Sequence, residues 1–219
     1  MIPLKDLNPS RRFPVVNVAL ILINVAVFLY QVTLPPRAAQ AFVMANATVP
    51  MRIPEFLHGS VSAQVAFLPL FTSMFLHGGP MHLLGNMLFL WIFGDNVEDD
   101  FGHVGYLLFY LVCGVGSGLF QVLLNVNSPF PVIGASGAIS GVMGAYLLLY
   151  PRAQILTFFF IILVPVPAFV ILGFWFVIQF LEGFGRLGMK ETGGTAWWAH
   201  IGGFLLGMAI TGVAKIRDR

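Results

Sequence analysis

Apolar runs of about twenty residues recur along almost the whole of this chain, and few folds can accommodate them. A helix needs roughly 20 mainly apolar residues to cross a bilayer. Such runs fall at about 15–32, 81–97, 104–124, 133–150, 155–181 and 197–215. Of the 219 residues, 58% are apolar and only 9% are charged, where a soluble domain carries about 25% charged residues. The sequence therefore predicts an all-α polytopic membrane protein, a single membrane domain over residues 1–219 with six transmembrane helices. The fourth run is rich in glycine, and the fifth is long and interrupted by Pro165-Val166-Pro167. Residues 34–79 contain Pro35, Pro36, Pro50 and Pro54 and then an apolar stretch at 65–70. That segment is too long for a plain connector, and its mixed character predicts that it lies partly in the membrane interface.

Charge sets the orientation. With six spans both termini share a side, which then holds Lys5, Arg11, Arg12, Arg152, Lys215, Arg217 and Arg219, against Arg37, Arg52, Arg186 and Lys190 opposite. The positive-inside rule then puts the termini in the cytoplasm. Asp95, Glu98, Asp99 and Asp100 fall inside and read as a solvated loop that caps the next helix. A net charge of +2 gives no footprint for nucleic acid. Cys113 is the only cysteine, so no internal disulfide can form. The first apolar run is long and has no small-residue cleavage site, so it reads as a retained span. With no targeting leader and no extra soluble domain, the expected location is a prokaryotic inner membrane.

Reactive polar side chains inside membrane helices are costly and usually functional. Ser136, in Gly134-Ala135-Ser136-Gly137, opens the fourth run, and His200, in Ala199-His200-Ile201-Gly202-Gly203, lies near the start of the sixth. Both runs enter from the outer side, so both residues sit at the same depth. Gly137/Gly141 and Gly203/Gly207 follow them at the small-xxx-small spacing that lets helices approach closely in lipid. A third pair, Gly114/Gly118, reads as packing alone. A serine hydroxyl becomes a nucleophile when a base takes its proton, and a neutral His200 suits that task near pH 7. Every Asp and Glu except Glu55, Glu182 and Glu191 falls on the inner side, and those three lie in or near loops. A Ser136–His200 dyad is therefore expected, with the imidazole oriented by packing. Oxyanion donors would be the Ser136 amide together with His82 and Asn86, which share one helix face at i, i+4. His77 reads as a support for its loop. The alternative of a metal at His77, His82 and His200 has poor spacing and no completing ligand, so neither a metal nor another cofactor is expected.

These residues resemble the rhomboid intramembrane serine proteases. The resemblance rests on Gly134-Ala135-Ser136-Gly137, on Ala199-His200-Ile201-Gly202-Gly203 and on His77-Gly78-Gly79-Pro80-Met81-His82-Leu83-Leu84-Gly85-Asn86-Met87. It implies a six-helix rhomboid-type bundle, with Ser136 as nucleophile, His200 as general base and acid, and His82, Asn86 and the Ser136 amide around the oxyanion. It implies substrates that are single-pass membrane proteins in the lipid bilayer, cut at small residues near helix-breaking sequence. Lateral access would be governed by the fifth helix and the loops around it. Two positions depart from the family's pattern. Ser140 stands where many members carry an aromatic ring stacked on the histidine, and Leu68-Pro69-Leu70 stands where many carry Trp-Arg. Ser140 is then expected to hydrogen bond instead, and the loop must be anchored some other way.

Two further classes were weighed. A rhomboid-like protein that binds membrane helices without cutting them would lack the serine or the histidine. A transporter would show two related halves or a mid-span carboxylate, and neither is present in the sequence.

Overall fold

The computed structural model describes residues 2–185 and 195–217. Arg186, Lys190, Glu191 and Arg219, and most of the loop that follows the fifth apolar run, lie outside these residues. The order is β1 (Ile2–Asp6), α1 (Val15–Thr33), α2 (Pro36–Asn46), α3 (Arg52–Leu57), α4 (Ala63–Phe67), α5 (Pro69–Thr72), a 3-10 turn (Ser73–Phe75), α6 (Pro80–Leu124), α7 (Ser136–Leu149), β2 (Gln154–Phe159), β3 (Ile162–Pro167), α8 (Ala168–Gly185) and α9 (Trp197–Arg217). The chain is mostly helical. Among the described residues α1, α6, α8 and α9 are long and apolar enough to cross a membrane, where six separate spans were expected. The fourth expected span shrinks to α7, whose 14 residues give about 21 Å of helix.

α6 bends back on itself. Gly102 sits at φ 68°, ψ 163°, a left-handed conformation that glycine adopts without steric cost. Asn17 of α1 donates to the Leu90 carbonyl (3.0 Å) and accepts from the Tyr106 hydroxyl (2.8 Å). Residues 90 and 106 would stand about 24 Å apart on a straight helix, so contact with one side chain requires two arms folded together. α7 fills the space between these arms and α9. It buries every residue from Gly137 to Tyr146. The outer wall of the bundle is apolar, with Leu22, Leu84, Val104, Leu123, Leu181 and Val213 all exposed.

The acidic cluster at the bend does not form a solvated loop capping its own next helix. Glu98 is 2% exposed and accepts from the amides of Val16 (2.9 Å) and Asn17 (2.7 Å), the free N–H groups that open α1. His103 Nδ1 lies 2.5 Å from the same carboxylate. Asp99 accepts from the backbone amides of Arg11 and Arg12. An anion at a helix N-terminus satisfies orphan donors and the positive end of the dipole together. The cap thus serves a helix some eighty residues upstream.

The fifth expected span, 155–181, is only half helical, and the chain is not all-α. Its first part is the antiparallel hairpin β2–β3, and β1 completes a three-stranded sheet in the order β1-β2-β3. Thr157, Phe158, Phe159, Ile161, Ile162, Val164 and Val166 are β-branched or aromatic and favour strands. Pro165 and Pro167 would each break a helix, but the edge strand β3 tolerates them because its outer side has no partner.

Residues 34–79 are built from short helices. Arg52 ties α2 to α3 by donating to the carbonyls of Met44 (2.7 Å) and Ala47 (3.3 Å). The Thr48 hydroxyl donates to the Pro69 carbonyl and meets Ser73 Oγ, both at 3.0 Å. Met74 fills the space beside Gly114, and Leu70 that beside Gly118. This is how the segment is anchored with Leu68-Pro69-Leu70 in the variant position. The amide of Gly134 donates to the Ser73 carbonyl (2.9 Å), so the anchored loop also holds the approach to Ser136.

Candidate active site

Three helices begin at one end of the bundle. His82 lies in the first turn of α6, Ser136 is the first residue of α7, and His200 lies in the first turn of α9. Their N-termini direct unpaired amides and positive dipole ends toward the same region. Ser136 Oγ lies 2.7 Å from His200 Nε2. Both side chains are half-buried and His82 is exposed, so the site opens outward.

Glycine makes this distance possible. A methyl group built on Gly203 would strike the carbonyl of Gly137, and one on Gly207 would strike the backbone of Gly141. The two small-residue pairs therefore meet each other, and α7 and α9 touch backbone to backbone. Gly137 also lies against Ser117 of α6, and Gly141 against Cys113. On α9, Gln121 Oε1 accepts from the amide of Ala199 (3.1 Å), capping the turn that carries His200.

The second nitrogen of His200 has a partner that sequence reasoning missed. Nδ1 lies 2.6 Å from Oε1 of Gln179, a side chain of α8 that is 5% exposed. An amide oxygen only accepts, so the imidazole proton resides on Nδ1 and Nε2 is left to accept from the serine hydroxyl. Trp175, one turn earlier on α8, places its ring 5.9 Å from the imidazole at an interplanar angle of 36°. Trp197 meets the imidazole edge-on at 6.3 Å. Ser140 does not face the imidazole. Its hydroxyl donates to the Ser136 carbonyl (2.6 Å). The expectation that α7 packing alone orients the imidazole is therefore corrected, because α8 supplies both a hydrogen bond and an aromatic face.

His82 and Asn86 converge on the residues before Ser136. Gly134 has φ 125°, and a methyl group there would sit 2.9 Å from Cε1 and Nε2 of His82 and 3.6 Å from Nδ2 of Asn86. The Gly78 amide donates to His82 Nδ1 (3.3 Å), which puts the ring proton on Nε2, the nitrogen that faces Gly134. Asn86 Nδ2 donates to His77 Nε2 (2.9 Å) and keeps a second N–H. His77 is 2% exposed and is held in turn by Gln31 of α1. That side chain accepts from the His77 amide (3.1 Å) and donates to its carbonyl (3.2 Å). Burial lowers the pKa of His77, in the loop before α6, to about 4, so it stays neutral at pH 7.

A hydroxyl bonded to a neutral imidazole, beside a set of inward-facing donors, is equipped for acyl transfer. Among the described residues no three His, Cys, Asp or Glu side chains come together as metal ligands. The missed residues Gln179 and Gln31 had a signal, since each is an amide in an otherwise apolar helix, the same anomaly that singled out Asn86.

The Rhomboid domain family matches residues 64–216. RHOMBOID-like protein 6, mitochondrial, from Arabidopsis thaliana is 36% identical over 141 residues, which cover 64% of this chain and 41% of that protein. Rhomboid protein 1, mitochondrial, from Saccharomyces cerevisiae is 32% identical over 141 residues, 62% of this chain and 38% of the relative. Rhomboid protease GluP from Bacillus subtilis is 36% identical over 135 residues, 59% of this chain and 25% of the relative. The matched stretch spans less than half the length of each of these relatives. Two of them are mitochondrial by name, so the similarity gives no support to a bacterial inner membrane in particular.

Proposed function

The chain belongs to the rhomboid family of integral membrane proteins, and from that premise we propose that it is an intramembrane serine endopeptidase working through a Ser136–His200 pair. The observation that carries this reading is the 2.7 Å approach of Ser136 Oγ to His200 Nε2. Ser136 attacks the scissile carbonyl as His200 takes its proton. His200 then returns that proton to the leaving amine, and water hydrolyses the acyl-enzyme by the same two steps. Asn86, His82 Nε2–H and the Ser136 amide donate to the oxyanion, helped by three converging helix dipoles. Gly134 and Gly137 keep the backbone around the serine thin enough for these groups to gather.

The reading extends to topology and substrate. The whole chain acts as one membrane domain with six crossings: α1, the two arms of α6 on either side of Gly102, α7, α8 and α9. The termini are cytoplasmic and the site opens outward. Substrates are single-pass transmembrane segments that reach Ser136 sideways from the bilayer, where an unwound stretch exposes a peptide bond.

The test is cleavage of a single-pass substrate in proteoliposomes, with labelling by a fluorophosphonate probe. Ser136→Ala and His200→Ala should each abolish cleavage, and the probe should label Ser136 alone. Full cleavage by either variant ends the dyad reading. A folded protein that neither cuts nor takes the probe would instead be a binder of membrane helices.

A further inference from the structure

We propose that Gln179 is a positioning residue for catalysis, fixing the tautomer and the ring plane of His200 in the place that a carboxylate fills in a catalytic triad. The inference rests on the Ser136–His200 reading above and extends it to a third residue. Three observations carry it. Gln179 Oε1 lies 2.6 Å from His200 Nδ1, on the far side of the ring from Ser136. Gln179 is 5% exposed although it sits in one of the most apolar helices of the chain, where an amide without a partner costs several kcal/mol. Trp175, one turn away on the same face of α8, lies against the same imidazole, so one helix supplies both the acceptor and the ring contact.

The physical role follows from the inventory of donors. A neutral imidazole carries one N–H, and a base for Ser136 must keep it on Nδ1. Gln179 accepts that proton without bringing a charge into the bilayer, where an isolated carboxylate would be expensive. Among the described residues the titratable group facing His200 across the site is His82 of α6. α7 brings no charged side chain, α9 none near this end, and on α8 Glu182 is exposed on the turn beyond Gln179.

The full-length protein in proteoliposomes tests this through kcat, KM and their pH dependence. Gln179→Leu should lower kcat by about a hundredfold with KM within about twofold, because the wrong tautomer removes the base without touching substrate. Gln179→Glu should keep much of the activity and move the acid limb of kcat upward by about one pH unit, since a carboxylate favours the imidazolium. A purely structural glutamine would leave that limb in place. A kcat within twofold of wild type in Gln179→Leu, or an unmoved acid limb in Gln179→Glu, overturns the proposal. Nitrogen-15 NMR of histidine in the unsubstituted protein decides the matter even where a variant fails to fold. A proton on Nδ1 of His200 is expected, and an Nε2–H tautomer overturns it. If the unsubstituted protein shows no cleavage and no probe labelling, the protease reading fails, and the NMR result still judges the Gln179 contact on its own.

Discussion

α7 and α8 hold the two sides of one imidazole in opposite ways. α7 is sunk in protein from Gly137 to Tyr146 and meets α9 through bare backbone. α8 buries only Ala168, Ile171, Leu172, Gln179 and Gly183, and turns Phe169, Phe174, Leu181 and Phe184 outward. Packing within α7 and α9 leaves no room for adjustment, so the Ser136–His200 distance is set by the fold. The Gln179–His200 distance is set by where a mostly lipid-facing helix rests. Rigid placement of the nucleophile and adjustable placement of the access wall can therefore coexist within a few ångströms.

The sharpest way to break this contrast is a single methyl group on the tight side. Gly207→Ala drives a carbon into the backbone of Gly141 and should part the two helices, at a cost of about 1–3 kcal/mol. A shift of 1 Å at the site is worth about a hundredfold in rate. Thermal unfolding in detergent and substrate cleavage should fall together. Next in size is Asn86→Ala, which removes one oxyanion donor and should cost on the order of 3 kcal/mol in kcat with probe labelling of Ser136 slowed but not lost. Trp175→Ala loosens the adjustable side. Cleavage should fall about tenfold while the unfolding temperature moves little, because only an aromatic contact worth about 1 kcal/mol is lost. The smallest effect is the mirror of the first. Gly173→Ala on α8 meets nothing within 4 Å and should stabilise slightly, by about 0.5–1 kcal/mol, with cleavage unchanged. Equal destabilisation by Gly207→Ala and Gly173→Ala would erase the distinction between the two helices.

The tight side was legible in the sequence and the loose side was not. Gly137/Gly141 and Gly203/Gly207 announce a backbone contact by spacing alone, and shared depth then brings Ser136 toward His200. Gln179 escaped because the search for a third group considered only carboxylates, and because 155–181 looked like one long helix. The hairpin was hidden by the same apolar run. Hydrophobicity cannot separate a membrane strand from a membrane helix over a few residues, and Pro165 and Pro167 were read as a break in a helix when they mark an edge strand. β1 left no local trace at all, since its partner lies some 150 residues away. The cap that Glu98 gives to α1 is non-local in the same way. Charge counting places such a residue on a side of the membrane, but a hydrogen-bond partner eighty residues distant is visible only in the fold.

Gln31 touches no atom of Ser136 or His200 and lies outside the region that defines the family, yet it grips the peptide on both faces of His77 as a neighbouring strand would. The consequence is one of inheritance along a relay: α1 fixes His77, His77 fixes Asn86, and Asn86 leans toward the strand leading to the nucleophile. A fragment trimmed to residues 64–216 would retain each reactive side chain and lose the hand that steadies them.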